Sequence, residues 1–259
     1  MTQVTASAAG VSKGVRIAVV LAWIGVGLAL ACGIAELLAG PGYRWGWWRL
    51  GNGFQIVVWA VKIDLGAALL ALAAVVLAWE YGVRRALVAG AMGLVLALIV
   101  VGPPVFYWRL ADQSPIHDVS TDTDNPPRYI AVMPLRKDAK NSTEYNAKTA
   151  ALQKKTYPDI APALLEVPPA QTLQRAERAA RAMGWDIVAV VPDELRIEAT
   201  ATTLFFGFKD DIVIRIAPNA SGSRLDVRSL SRIGGSDLGA NAKRIRAFMT
   251  QPDAAKAGG

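Results

Sequence analysis

Hydrophobic and polar positions divide this chain into two unlike halves. Up to Trp108, three long apolar stretches, Val15 to Leu38, Ile56 to Trp79 and Ala86 to Trp108, are separated only by short polar joints. At 1.5 Å per residue, each is long enough as a helix to cross a hydrocarbon core of about 30 Å. The pattern predicts a three-helix transmembrane region over residues 15–108, preceded by a tail over residues 1–14. Lys13 and Arg16 precede the first stretch as they would in a secretory signal, but its apolar run is much longer than a signal core, so it reads as a retained anchor.

Beyond Arg109 the pattern is that of a water-soluble domain. Residues 109–167 are Pro-dotted and weakly periodic, and read as an irregular segment wrapping the domain, with one strand at Tyr129 to Met133 and a short helix at Ala147 to Lys155. From residue 168 the periodicity sharpens. Pro168 and Pro169 open a helix with Leu173, Ala176, Ala180 and Met183 on one face, stopped at Gly184. Four strands follow, at Asp186 to Val191, Leu195 to Thr202, Asp211 to Ala217 and Arg224 to Leu230. A last helix starting at Ser236 or Asp237 carries Leu238, Ala242, Ile245 and Met249 on its apolar side. Short connections make the strands antiparallel neighbours. Residues 168–250 are therefore expected to form an α-β-β-β-β-α unit of α+β class, a four-stranded antiparallel sheet with two helices on one face. The tail 251–259 reads as disordered.

Charge adds the orientation. Of the net charge of +7, the part from Arg109 onward holds 21 basic against 18 acidic residues, and the rest flanks the apolar stretches. A balance spread this thinly argues against nucleic acid, which calls for a dense basic patch, and suits anionic lipid head groups. Lys13 and Arg16 share a side with Arg84 and Arg85, against Arg44 and Arg49, which lie among the interfacial tryptophans Trp45, Trp47 and Trp48. Counted by the positive-inside rule, the N-terminus is cytoplasmic and the soluble domain lies outside, which in a bacterium means a multi-pass inner-membrane protein with a periplasmic domain. The expected partners are the bilayer and, beyond it, anionic head groups or an envelope protein. The one cysteine, Cys32, lies in the first stretch, so no intrachain disulfide forms.

Glu36, Lys62 and Asp64 are ionisable residues inside or near the spans. Either the second span begins near Ile63 and leaves the charges at the head groups, or Lys62 is buried and paired with Asp64 or Glu36 in a polar site between helices. No internal repeat or broken helix marks a transport path.

Reactive chemistry is sparse. His117 is the only histidine, and a hydrolytic triad would have to join it to a serine such as Ser231 and an acid such as Asp118 at uninformative spacing. Asp118, Asp122 and Asp124 alternate like calcium ligands but lack the loop glycine and distal glutamate, and Asx turns beside Pro126 and Pro127 account for them. No Cys/His cluster offers a metal site, and no cofactor motif is present. The run from Ser231 through Gly234 and Gly235 to Asp237 leads into a helix N-terminus that would receive an anion, were it not for the Asp237 carboxylate, which favours simple capping. Two surfaces remain: a sheet face displaying Glu198, Arg215, Asp226 and Arg228 as cross-strand ion pairs, and the basic outer faces of the two helices, with Arg175, Arg178, Arg181, Lys243, Arg244 and Arg246.

From about Ile116 to Phe248 the chain resembles the bacterial and plastid family catalogued as domain of unknown function 1499, often found behind membrane spans. The resemblance rests on Asp118-Val119-Ser120-Thr121-Asp122, Tyr157-Pro158, Gly184-Trp185, Glu198-Ala199-Thr200, Gly207-Phe208-Lys209-Asp210-Asp211, Asp226-Val227-Arg228-Ser229, Ser231-Arg232, Ser236-Asp237-Leu238-Gly239, Asn241 and Arg244-Ile245, in that order. It implies a domain boundary and brings no activity with it. Members often carry a basic residue where this chain has Gly235, which sets the resemblance further against an anion site. The polar motif residues fall in three segments, and if these meet at one end of the sheet, Asp118, Asp122, Lys209, Asp210, Asp211, Arg228, Arg232, Asp237 and Asn241 form an ion-pair cluster. Such a cluster either ties the N-terminal segment to the sheet or frames a polar ligand site. The reading that follows is a membrane-anchored extracytoplasmic binding or envelope-assembly domain; a membrane-anchored hydrolase of envelope material and a cytoplasm-facing scaffold are the alternatives.

Overall fold

A computed structural model describes residues 2–251, in two compact units that divide between Trp108 and Arg109. Apart from Gln251, the tail expected at 251–259 lies outside the described residues.

The first unit is three helices, α1 (Thr2–Arg44), α2 (Leu50–Glu80) and α3 (Arg84–Gln113). Over Lys13–Arg44, Leu50–Glu80 and Arg84–Ala111 they are long and apolar enough to cross a membrane, and each runs longer than the apolar stretch that predicts it. Their interior is built from small side chains in layers that take one residue from each helix: Ala18, Ala78 and Ala86; Ala22, Ala74 and Ala89; Cys32, Ala60 and Val100. Large apolar side chains such as Trp23, Leu37, Leu69, Trp79 and Leu98 face outward. Small inside and large outside is the arrangement expected where lipid, not water, surrounds the helices and close backbone approach drives their packing. Gly90 shows the tolerance: a Cβ there would lie 2.9 Å from a Val75 methyl and 3.0 Å from the Ala71 carbonyl. In the α1–α2 joint, Trp47 meets Trp45 at a tilt and Trp48 edge to face, with ring centres 4.8 and 5.8 Å apart, and the Trp48 indole donates to the Ala39 carbonyl at 3.0 Å.

The second unit is a six-stranded antiparallel sheet, not a four-stranded one. Its elements are β1 (Asp118–Ser120), α4 (Ala147–Thr156), β2 (Ala163–Leu165), α5 (Pro169–Ala182), β3 (Asp186–Val191), β4 (Arg196–Thr202), β5 (Lys209–Asn219), β6 (Gly222–Ser231) and α6 (Ala240–Met249). The four strands β3 to β6 form a meander, and β1 and β2 both pair with the free edge of β6, Asp118 opposite Leu230 and Leu165 opposite Ser223. These two edge strands are three residues long, too short for an alternating pattern to announce them in sequence.

One sheet face is apolar. Ile197, Ala199, Ile212, Ile214, Ile216, Leu225 and Val227 pack there against Leu173, Ala176 and Ala180 of α5 and Ala242, Ile245 and Phe248 of α6. Each such large side chain, removed from water, contributes about 1.5–3 kcal/mol. α5 ends as its composition predicts: Gly184, at φ +72°, donates its N–H to the Arg181 carbonyl, and the Trp185 N–H reaches the Ala180 carbonyl. Trp185 then stacks on Phe248, with ring centres 5.3 Å apart, and ties the end of α5 to α6. α6 itself begins at Ala240, three or four residues later than expected, because Leu238 and Gly239 both take positive φ and turn the chain before the helix can start.

The strand expected at Tyr129 to Met133 does not form. The N–H groups of Ile130, Ala131 and Val132 are all claimed by the carboxylate of Glu198, which leaves none for a neighbouring strand, and the chain continues into a short 3-10 helix, Met133–Arg136.

Candidate functional site

The second face of the sheet carries the candidate residues. Alternation along β4, β5 and β6 places Arg196, Glu198, Thr200, Asp211, Val213, Arg215, Asp226, Arg228 and Leu230 on the side away from the helices. The expectation that this face is open is corrected: the segment between β1 and α4 lies across it, with Tyr129 and Val132 packed on Val213 and Leu230, and Glu198, Asp211, Asp226 and Arg228 are buried. A charge deprived of water needs a partner of opposite sign and bonds for its remaining donors or lone pairs. Four groups meet that demand.

Arg228 donates through Nε and Nη2 to the two Asp118 oxygens at 3.0 and 2.7 Å, and through Nη1 and Nη2 to the carbonyls of Pro127 and Thr143. Its guanidinium lies over the rings of Tyr129 and Tyr145, 5.0 and 5.2 Å from their centres. Burial opposes its charge, but the Asp118 carboxylate outweighs burial and holds Arg228 above the usual guanidinium range.

Asp211 lies between two arginines, Arg136 and Arg232, and accepts the Thr200 hydroxyl at 2.8 Å. Arg232 also donates to the Leu135 carbonyl, and Tyr129 donates to the Asp211 carbonyl at 3.0 Å. Burial pushes the Tyr129 hydroxyl well above its ordinary value, so it stays a neutral donor.

Asp226 and Asp122 share Arg215 and Arg224. The second Asp122 oxygen accepts the N–H groups of Asp124 and Asn125, an Asx turn ahead of Pro126. Burial works against the Asp122 carboxylate, but Asn125, Arg224, Asp124 and Arg215 together hold it below the ordinary carboxyl range.

Glu198 accepts four bonds from the three successive N–H groups of Ile130 to Val132 at 2.9–3.1 Å and pairs with Arg196, whose other nitrogens reach Glu194.

The three motif segments do converge at one end of the sheet, since β1 lies on β6 and Asp210 pairs with Ser231. Their residues do not form one cluster. Asp118, Arg228, Asp211 and Arg232 point to the covered face, while Asp210 and Asn241 join Arg244, Ser229 and Ser231 on the helix side. Asp122 belongs to the Arg215–Arg224 group, and Lys209 is exposed. Asp237 accepts the N–H groups of Gly239 and Asn241 at 2.8 Å each, filling the α6 N-terminus with its own carboxylate. No triad assembles: the His117 ring faces the Gly235 carbonyl, Ser231 is bonded by Asn241, and Asp118 is held by Arg228. Asp124 pairs with Lys154, so the alternating aspartates diverge, and among the described residues no group of three or more His, Cys, Asp or Glu side chains is placed to hold a metal ion. On the helix faces, Arg181, Arg244 and Arg246 are paired with Glu177, Asp210 and Asp159.

In the helical unit, the alternative in which Lys62 is buried and paired with Asp64 or Glu36 does not form. Lys62 is exposed and lies over the Trp59 ring, 4.7 Å from its centre, whereas Asp64 is fully buried, with neither oxygen bonded, and one Glu36 oxygen is likewise buried and unbonded. The separation follows from helical geometry, because positions two apart point about 200° apart around the axis.

Residues beyond the sequence-derived set complete the site: Arg136, Tyr129, Tyr145, Arg196 and Gln153. Gln153 of α4 accepts the Ser120 N–H at 2.8 Å and donates to the Ser120 carbonyl at 2.6 Å, standing in for a further strand. For Arg136, Tyr129 and Tyr145 the available signal was the surplus of unassigned arginines and tyrosines in a segment too long to be a plain connection; Arg196 shares the polar side of β4 with Glu198, and nothing in the pattern singles out Gln153.

Three long apolar helices followed by an antiparallel α+β domain, one of whose sheet faces is filled with paired charges, define the class: a domain carried behind candidate membrane spans. The chain belongs to the family described as protein of unknown function (DUF1499), which matches residues 118–251 and so begins on the first residue of β1. No curated protein and no solved structure matches the chain.

Proposed function

We propose that this is an integral membrane protein that presents its α+β domain on the extracytoplasmic side as a binding or envelope-assembly module. The observation that carries the reading is the commitment of the polar face. The carboxylates and guanidiniums that would serve as acids, bases or ligands are buried against one another and hold the segment 121–145 to the sheet. A catalytic acid or base must reach a substrate proton within about 3 Å. What the domain has left to offer is its surface, where Ile130, Met133, Leu135 and Leu164 are exposed. The four-against-two bias of basic residues in the short loops supports the extracytoplasmic side, with the inner membrane of a bacterium as the setting.

Fusion after Gly259 of reporters active in only one compartment tests the orientation. Activity of the reporter that works only in the periplasm is the expected result. Activity of the cytoplasmic one alone would overturn the assignment and turn the domain toward cytosolic partners.

A further inference from the structure

The loop between β4 and β5 is apolar where hairpin turns are normally polar. It reads Thr203-Leu204-Phe205-Phe206-Gly207-Phe208, with Leu204 89% and Phe205 42% exposed. The loop is held rigidly. The Thr203 N–H donates to the Phe208 carbonyl at 2.8 Å, the Thr203 hydroxyl accepts the Phe208 N–H at 2.8 Å, and the Gly207 N–H returns to the Thr203 carbonyl at 3.0 Å. Phe206 and Phe208 stack at 5.2 Å, with Phe205 edge-on to Phe206 at 5.0 Å. The fold thus spends ordered structure on an apolar tip whose Leu204 and Phe205 side chains are exposed.

Strand directions say where this tip points. β5 starts at Lys209 beside the end of β6, and β1, antiparallel to β6, starts there too, with the His117 carbonyl accepting the Ser231 N–H. The chain therefore comes into the domain at the same sheet end that carries the hairpin. Ser114 follows Ala111, the last residue of the third candidate span, by three positions, a reach of about 10 Å. Two strand spacings separate β1 from β5, about 10 Å sideways. The tip and the point where the chain enters the domain thus share one end of the sheet.

Charge around the tip is of the matching kind. Lys209, Lys137 and Lys140 are exposed at this end, tied to it by the Lys209 and Arg232 backbones, and Lys243 lines a shallow groove with Trp185, Thr202 and Ala240 on the helix side. Asp210 and Asp211 at the same end are neutralised by Arg244 and by Arg136 and Arg232, and among the described residues Asp138 and Asp186 are exposed acids there. An apolar tip with a basic collar suits an interface of acyl chains beneath anionic head groups.

We infer that the β4–β5 hairpin is a membrane-dipping loop: Leu204 and Phe205 insert into the lipid interface of the bilayer that holds the spans, with Lys209 and Lys243 on its anionic head groups. The insertion docks the domain against the membrane at a second point besides its covalent stalk. It does not depend on which side of the membrane the domain occupies.

The test uses the full chain with Cys32→Ala, reconstituted in vesicles of phosphatidylethanolamine and phosphatidylglycerol, carrying an environment-sensitive fluorophore at Leu204→Cys or, separately, at Phe205→Cys. Leu164→Cys is the control, since Leu164 is as openly exposed but lies on β2, at the far end of β6. Spin-labelled lipids should quench either hairpin label at least about twofold more than the control, as a side chain seated about 5–10 Å into the boundary requires. Hairpin labels quenched no more than the control, in properly folded protein at both positions, would overturn the inference and leave the tip to water or to a protein partner. The reporter fusions read orientation alone, so the two outcomes are separable.

Discussion

Arg228 shows how a single side chain is made compatible with burial. Four of its five N–H donors are used, two on a carboxylate and two on carbonyls of the overlying segment, and the guanidinium lies over two tyrosine rings. Arg228→Met strands Asp118 as an uncompensated buried charge, with an expected cost of about 3–5 kcal/mol in denaturant unfolding of the full chain in detergent. Adding Asp118→Asn should recover part of that loss, because the two residues act on one interaction and their effects do not add. Asp122 gives a pH dependence of known sign. Its folded carboxyl is held below the ordinary range, so its stabilisation is complete above the unfolded value near 3.9 and is lost as pH falls through the folded value. Unfolding midpoints of the native protein and of Asp122→Asn should differ by a constant amount above about pH 5 and converge on acidification. At this scale the sequence supplied charged candidates such as Asp118, Asp211 and Arg232, but not their pairing. Partners such as Arg136 and Asp211 lie 75 positions apart, and side-chain chemistry carries no address over that distance.

Among the elements, legibility followed periodicity. The three apolar helices, α5 and the meander β3 to β6 repeat a pattern for long enough to be read; the ends of α5 and of the four strands fall within about two residues of expectation, whereas the apolar helices run on past the stretches that announce them. β1, β2 and the late start of α6 carry no such repeat, and the supposed strand at Tyr129 to Met133 had apolar residues in the right places but lost its backbone donors to Glu198. One carboxylate thus decides the conformation of a segment 66 positions away. In Glu198→Gln the amides of Ile130 to Val132 lose their charged acceptor. Hydrogen exchange there should accelerate by roughly one to two orders of magnitude, the equivalent of about 1.5–3 kcal/mol, while amides in the centre of β4 keep their protection. Equal acceleration in β4 would mean that the sheet, and not the segment lying on it, depends on Glu198.

For the whole molecule, two solvents explain two opposite packings. The helical unit buries alanine and displays leucine and tryptophan, whereas the sheet domain buries isoleucine, leucine and phenylalanine beneath its helices. That contrast was visible in the hydropathy of the chain. The burial of the second sheet face was not, because a face of alternating charge reads identically whether water or a folded-back segment covers it.

The pairing of β1 with β6 has a consequence for how the protein is made. Asp118 meets Arg228 across 110 positions, and His117 meets Asn241 across 124, so the strand nearest the third span finds its partner only when almost the entire domain has been synthesised. Contacts this distant in sequence form slowly, after the entropy of closing a long loop has been met. A domain closed by its first and last strands stays open while it emerges, which is the state a chain must keep if it is to be threaded through a membrane before it folds.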